Sequence, residues 1–396
     1  MEYKDLLSDN VYHSISDLRY NDRLGYKLSS SEIEDFFDYK DSLVVNNECG
    51  FRRTDLKPFN SKYIFYNEHP ELTHLYDEYI DLINSNDIFS DKEEMIKSRI
   101  YSEVEGSLRI EGYDSTRKLF DSLMAGKKPA NRNETIIRNM GIGIGFVKNA
   151  NSFDADALYA LYGILSDGCL DEDQQLKPGY LYRDDMVYIS NYNGCDTGKI
   201  NECMQSLFDF VNSNLRTKDP FLRFLLPHIV HYYIVYIHPY FDYNGRTARM
   251  CSLWVSNLLG LESAPFFISE AINDTKKQYY NALSMTRDSR NDLTYFLKYI
   301  LQTSIKYALC YLKVKEAEDR IAENGERLSP SESTYYKKIL LSSRHKYFSW
   351  KDFSGFTNSD ISKQGALKIL NKLETYGLLA SVKNSRGEKQ FYIYEG

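Results

Sequence analysis

The residues best suited to chemistry lie close together, in the stretch Ile237 to Arg249, which reads IHPYFDYNGRTAR. His238, with an ordinary pKa of about 6.5, is suited to act as a general base. Asp242 offers a hard oxygen to a magnesium ion, which typically takes one or two carboxylates and completes its shell with phosphate oxygens. Arg246 and Arg249 are three positions apart, so on one helical turn both guanidinium groups point to one side and can hold separate phosphates. The stretch lies between two helical patterns, 227–238 and 246–259, which makes it a loop running into a helix N-terminus. Amides near Asn244 and Gly245 then have no partner inside the helix, and the helix dipole adds positive potential there. Each residue alone also fits a helix end, a turn or a surface ion pair. The whole string fits phosphoryl or nucleotidyl transfer.

Apolar periodicity supplies the frame. Ile96, Ile100, Val104 and Leu108 recur every four residues and predict a helix that begins after Asp91 and ends near Gly112. Further helices are expected at 115–124, 131–148, 154–166, 200–212, 227–238, 246–259, 275–285 and 293–312. Between the third and fourth of these, GYLYRDDMVYISNYNG (179–194) reads as a hairpin, the one sheet expected in this central region. The first 90 residues, with turn signals at His69-Pro70 and at Asn84-Ser85-Asn86, read as an irregular N-terminal lobe. The charged stretch VKEAEDRIAENGERLSP (314–330) reads as a linker. Residues 331–396 carry 11 Lys and Arg against 6 Asp and Glu, a net of +5. Their order is a helix (333–342), an apolar segment (347–353), a helix (359–376) and a hairpin around 384–387, which is the order of a winged helix. The expected organisation is therefore mainly α: a lobe at 1–90, a core at 91–313, a linker at 314–330 and a winged-helix domain at 331–396.

Composition narrows the class. With 42% apolar and 14% aromatic residues in 396, the chain has ample material for several packed cores. A net charge of −7 argues against a protein that coats nucleic acid with its whole surface. The opening MEYKDLLSDN has no apolar signal run, and no stretch approaches a membrane span, so a cytoplasmic protein is expected. Six scattered cysteines without a CxxC suggest reduced thiols rather than a zinc ribbon or a disulfide framework. His228 and His231 fall in an apolar helix without accompanying carboxylates and are expected in the core.

IHPYFDYNGRTAR resembles the signature loop of Fic-domain proteins, His-Pro-Phe-x-(Asp/Glu)-Gly-Asn-(Gly/Lys)-Arg-x-x-Arg. The resemblance implies that His238 deprotonates a target hydroxyl and that Asp242 holds Mg2+. It also implies that Tyr243, Asn244, Gly245, Thr247 and Ala248 line the α- and β-phosphates, while Arg246 and Arg249 take the outer ones. The usual outcome is transfer of AMP from ATP to a Ser, Thr or Tyr side chain of a protein target, or of the enzyme itself, with release of pyrophosphate. Two positions depart from the pattern. Tyr240 stands for phenylalanine, and Tyr243 stands for the glycine that lets backbone approach phosphate, so a changed φ or a crowded phosphate is expected there.

Upstream, Ser107-Leu108-Arg109-Ile110-Glu111-Gly112 resembles the family's inhibitory motif, (Ser/Thr)-x-x-x-Glu-(Gly/Asn). Ser107, Glu111 and Gly112 are thus implied to place a carboxylate on Arg249, where the γ-phosphate would sit. Arg183 to Ser190 match the place of the family's flap, which holds a target segment by strand addition, so Val187, Tyr188, Ile189 and Ser190 are implied to lie over nucleotide and target. Tyr279 and Tyr280 resemble the adenine-side helix. The resemblance covers about 91–312 and implies a Fic-type helical core with a β-hairpin flap; members of this class are often homodimers. Two alternatives stay open: a de-AMPylase in which Glu111 orients water, and a DNA-binding regulator that senses nucleotide without catalysis. For Lys383, Arg386 and Lys389 of the last hairpin, DNA phosphates and a protein surface are both suitable partners.

Overall fold

Helix forms almost everywhere the apolar spacing signals it, and in several places where it does not. A computed structural model describes residues 3–20, 27–86, 93–113, 115–189, 192–261, 268–342, 347–357 and 361–394. The chain divides into two units, Met1–Tyr79 with Ser90–Ser304, and Ile80–Phe89 with Ile305–Gly396.

The first unit opens with helices α1 (Tyr3–Leu7), α2 (Ile15–Tyr20) and α3 (Ser30–Asn46), strands β1 (Phe51–Arg53) and β2 (Phe65–Asn67), and the first part of α4 (Pro70–Asn86). The irregular lobe expected at 1–90 is therefore largely helical, and Met1–Tyr79 belong to one unit with the core. Local chemistry explains the helices. Ser29 and Glu32 form a capping box at the start of α3. The turn signal at His69-Pro70 proves to be a helix start, because proline at the first helical position has no amide to lose. Asn84 to Asn86 end that same helix.

The core helices follow as α5 (Glu93–Ile110), α6 (Arg117–Met124), α7 (Arg132–Asn149) and α8 (Ala155–Ser166). A two-stranded antiparallel hairpin, β3 (Tyr188–Ile189) with β4 (Tyr192–Asn193), precedes α9 (Thr197–Asn214), α10 (Pro220–Ile237) and α11 (Asn244–Leu258). After these come α12 (Ile268–Asp274), which the sequence does not signal, α13 (Lys276–Asp288) and α14 (Thr294–Glu323). α14 extends well past 312, so the first part of the expected linker is helix. Fourteen of the eighteen residues of α10 are buried, which makes it the axis of this unit. Asp219 caps it by accepting the Phe221 and Leu222 amides, and Pro220 occupies its first turn. α11 packs along α10, and the loop between them carries the candidate chemistry.

Close packing against α5 depends on one glycine. A Cβ on Gly106 would lie 2.5 Å from the Glu270 backbone nitrogen in α12, while the Glu103 carboxylate takes the Ser269 amide at 3.2 Å. Gly106→Ala must push two backbones apart and is expected to lower unfolding free energy by about 1–3 kcal/mol. Gly145→Ala in α7, where nothing lies within 4 Å of the added carbon, is expected to raise it by about 0.5–1 kcal/mol. Urea unfolding of the two variants checks the contrast.

The second unit contains the last parts of α4 and α14, then α15 (Pro330–Ser342), α16 (Trp350–Thr357), α17 (Lys363–Thr375), β5 (Leu379–Lys383) and β6 (Lys389–Ile393). β5 and β6 pair antiparallel from Leu379↔Ile393 to Lys383↔Lys389, and Phe348 bridges to Phe391. The apolar segment at 347–353 thus supplies a bridge residue and the first turn of a helix. Ile339, Phe353, Leu370, Leu373 and Phe391 form the core of this unit. Among the described residues no helix is long and apolar enough to cross a membrane.

Candidate active site

Two left-handed residues bracket the loop between α10 and α11. His238 ends α10 at φ 55, and Tyr243 caps α11 at φ 67. Between them the chain is held by Asn244, whose side chain is almost fully buried. Its Oδ1 accepts the Tyr240 amide at 3.0 Å, and its Nδ2 donates to the Tyr240 carbonyl at 2.8 Å. Asn244 thus closes the loop on itself and leaves its backbone amide at the open first turn of α11. Tyr240 stacks on Tyr162 with ring centroids 3.7 Å apart, anchoring the loop in the core. Its hydroxyl is buried and has no hydrogen-bond partner among the described residues.

His238 is half-buried. Its Nδ1 lies 3.3 Å from the Val235 carbonyl, which can only accept, so Nδ1 carries the proton and Nε2 keeps a free lone pair. Burial lowers its pKa to about 4, with the Arg183 guanidinium adding to the effect, so the ring is neutral at physiological pH. Arg183 was not singled out from sequence. It is buried, its Nε donates to the His238 carbonyl at 2.8 Å, and its amide donates to the Pro239 carbonyl at 2.9 Å. Arg183 joins the base of the hairpin to the loop. On that hairpin Val187 and Ile189 are half-buried and Tyr188 is 85% exposed; Ser190 lies outside the described residues.

Asp242 is partly exposed; its Oδ1 accepts the Tyr243 amide and its Oδ2 lies 3.8 Å from Arg246. Arg246 is nearly buried, with its guanidinium carbon 3.4 Å from the centre of the Tyr243 ring. Its Nε and Nη1 have no hydrogen-bond partner among the described residues. Thr247 and Ala248 are fully buried within α11. Arg249 is also buried but already engaged: its Nε donates to Ser107 Oγ at 2.9 Å and its Nη2 to Glu111 Oε1 at 2.8 Å.

The partner of Arg249 comes from the end of α5. The helix closes in a Schellman arrangement, with Tyr113 N–H donating to Leu108 O, Gly112 N–H to Arg109 O, and Gly112 at φ 84. Glu111 is therefore the capping residue. Lys276 of α13 donates to the Arg109 and Ile110 carbonyls at 2.8 and 3.0 Å, a cation on a helix C-terminus that fixes this end in place. Burial pushes the Glu111 carboxyl up, but Arg249, with Arg246 and Lys276, outweighs this and holds it below the ordinary value. A Cβ at Gly245 would come within 3.2 Å of both Glu111 Oε1 and Arg249 Nη1, so glycine leaves room for this ion pair at the first turn of α11.

Residues 152–256 match the Fic/DOC family. They form a Fic domain. Over 161 residues the chain is 30% identical to protein adenylyltransferase fic-1 of Caenorhabditis elegans and 28% identical to that of Caenorhabditis briggsae. Each match covers 40% of this chain and only 30% of the relative. A crystal structure of a Fic family protein from Desulfovibrio desulfuricans superposes with a TM-score of 0.52 at 17% identity, over 84% of this chain and 98% of that one. This second similarity is one of fold.

Within the Fic domain, the side chain at position 243 departs from the family loop but the backbone conformation does not need to. A φ of 67 is the conformation in which glycine is at ease, and here tyrosine adopts it with its ring buried beneath Arg246. Tyrosine therefore occupies a left-handed position that a side chain rarely adopts. Of the two tyrosines on α13, Tyr279 is buried with its hydroxyl 2.8 Å from His231 Nε2, while Tyr280 is 55% exposed. His228 is likewise buried, and burial lowers its pKa to about 3. Arg183 and Lys276 escape a sequence reading because their partners are backbone carbonyls, which leave no mark on residue type.

Proposed function

We propose that this chain is a self-inhibited protein adenylyltransferase that moves AMP from ATP to a Ser, Thr or Tyr hydroxyl of a target protein or of itself. The observation that carries this is the Glu111–Arg249 ion pair at the mouth of a loop that otherwise presents a neutral histidine and a helix N-terminus. The names of the nematode relatives support the same reaction.

In the open state, His238 Nε2 takes the proton of the target hydroxyl and that oxygen attacks the α-phosphorus. The bond to the bridging oxygen breaks, and pyrophosphate leaves. The first-turn amides of α11 and the unpartnered donors of Arg246 are suited to the phosphates. Freed from Glu111, Arg249 binds the outermost one. Among the described residues no three metal-ligating side chains cluster, so a magnesium ion would be held by the partly exposed Asp242 carboxylate together with phosphate oxygens, where it would neutralise developing charge.

The test is intact-mass analysis of the wild type, Glu111→Gly and the doubly substituted Glu111→Gly, His238→Ala protein after incubation with ATP and magnesium. Gain of one AMP by Glu111→Gly alone supports the proposal. No gain in any of the three, with foreign acceptor proteins also supplied, overturns it and favours removal of AMP with Glu111 orienting water.

The pH dependence adds a second check. Catalysis needs the neutral imidazole, and burial disfavours the imidazolium. The form required is therefore present above about pH 4 and lost below it. Initial rates of Glu111→Gly are expected to stay flat from about pH 9 to about pH 6 as far as His238 is concerned. A halving near pH 6.5 would instead mark a solvated histidine.

A further inference from the structure

None of the site residues named above belongs to the C-terminal unit, whose exposed face is specifically composed. α17 is thirteen residues long, about 20 Å, and is capped by Ser362, which accepts the Gly365 amide at 3.2 Å. One side of it, Ala366, Leu370 and Leu373, is buried in the unit's core. The other side exposes Lys363 and Gln364 in its first turn and Lys368 in its second. Beside it stands the β5–β6 hairpin, whose tip is closed by its own hydrogen bonds: Asn384 Oδ1 accepts the Arg386 and Glu388 amides, and Gly387 turns the chain at φ 77. Lys383 and Arg386 are exposed there.

Four of these cations have no anionic partner among the described residues, Lys363 lying 5.8 Å from the centre of the Trp350 ring. Lys372 and Lys389 are paired with Glu332 and Glu374, but among the described residues no carboxylate pairs with Lys363, Lys368, Lys383 or Arg386. The exposed tip also carries Glu388, which is bound to Asn384. The segment 331–396 is +5 in a chain of −7, so this charge is concentrated here against the trend of the whole molecule.

We propose that this unit binds duplex DNA, with α17 presented to the major groove and the β5–β6 hairpin to the adjacent backbone. A helix whose first turns expose Lys, Gln and Lys is suited to base edges and phosphates, and a hydrogen-bonded hairpin tip with two cations is suited to a flanking strand. Charge complementarity selects DNA over an unspecified protein surface. The inference is independent of the adenylyl-transfer proposal.

The test is fluorescence anisotropy of the full chain on a labelled random-sequence duplex of roughly 25 base pairs at two salt concentrations. Neutralising four phosphates gives a slope of about −3.6, so affinity is expected to fall about 150-fold between about 50 and 200 mM salt. Reversing Lys363, Lys368, Lys383 and Arg386 to Glu is expected to remove nearly all of that binding and its salt dependence. The same change in charge at Lys118, Lys128, Arg216 and Lys218, all exposed in the other unit, is expected to alter binding by less than about threefold. Both variants should melt like the wild type, because every altered side chain is exposed. Absence of duplex binding by the wild type overturns the proposal and leaves this face to a protein partner. Equal loss in both variants, or equal affinity for the single strand, overturns it as well.

Discussion

Glu111→Gly is expected to incorporate AMP about 10- to 150-fold faster than the wild type. Arg249 is almost fully buried and its Nη2 is held at 2.8 Å by the Glu111 carboxylate, with Ser107 taking Nε. A hydrogen bond between charged groups contributes about 1.5–3 kcal/mol, and that is the bias against a free guanidinium which the substitution removes. Glycine also fits the backbone, since Glu111 is the capping residue before the left-handed Gly112 and makes its side-chain contact across to another helix. Rates would be followed by labelled AMP transfer under single-turnover conditions, so that product release does not mask the change. Adding His238→Ala should return the rate to background, because no other neutral base with a free lone pair stands on the loop. Glu111→Gln is the informative intermediate. It keeps the length and one hydrogen bond but loses the charge, so its rate should lie between the wild type and Glu111→Gly. A Glu111→Gly protein no faster than the wild type would show that the ion pair is not what limits nucleotide binding.

Tyr243→Gly is expected to destabilise the first unit by about 2–4 kcal/mol despite restoring the family's residue. Two effects oppose each other. Tyrosine at φ 67 is strained by roughly 1–2 kcal/mol, and glycine would relieve that. Against it stands the loss of a ring that is 2% exposed, worth about 3–5 kcal/mol in a core, and of the guanidinium contact at 3.4 Å, worth up to about 2 kcal/mol. The losses win. Arg246 would then keep its buried charge with less to hold its plane, and nucleotide affinity should fall about tenfold, measured by calorimetric titration with ATP in the Glu111→Gly background. Tyr243→Phe keeps the ring and should stay within about 1 kcal/mol in stability and twofold in affinity. A Tyr243→Gly protein more stable than the wild type would mean that the ring only crowds the loop. In this chain, then, the departure from the family loop is matched by Arg246, whose guanidinium carbon lies 3.4 Å from the centre of the substituted ring.

Much of this protein is written locally. The 3.6-residue spacing of apolar positions placed α5, α7, α8, α9 and α11 to within a few residues, because burial of one helix face is a property of short windows. The loop between α10 and α11 is equally local: Asn244 bonds to a backbone four residues away, and the open amides of α11 follow from any helix start. Helices with weak periodicity carry no such local signal. α12 is seven residues long, and α16 lies in a segment with strand-like composition.

What only the tertiary structure decided are the contacts between distant positions. Arg249 meets Glu111 across 138 residues, and Arg183 meets the His238 carbonyl across 55. Lys276 secures the end of α5 through carbonyls that every residue possesses. The neighbours Tyr279 and Tyr280 are alike in sequence, yet one is buried on His231 and the other exposed, since adjacent helical positions point about 100° apart and the packing chooses between them. The sign of φ at Tyr243 was likewise set by closure of the loop rather than by the residue there. Sequence determines which groups are available and how short segments curl. Their protonation, their partners and their orientation depend on burial and distance, which arise only when separate segments pack.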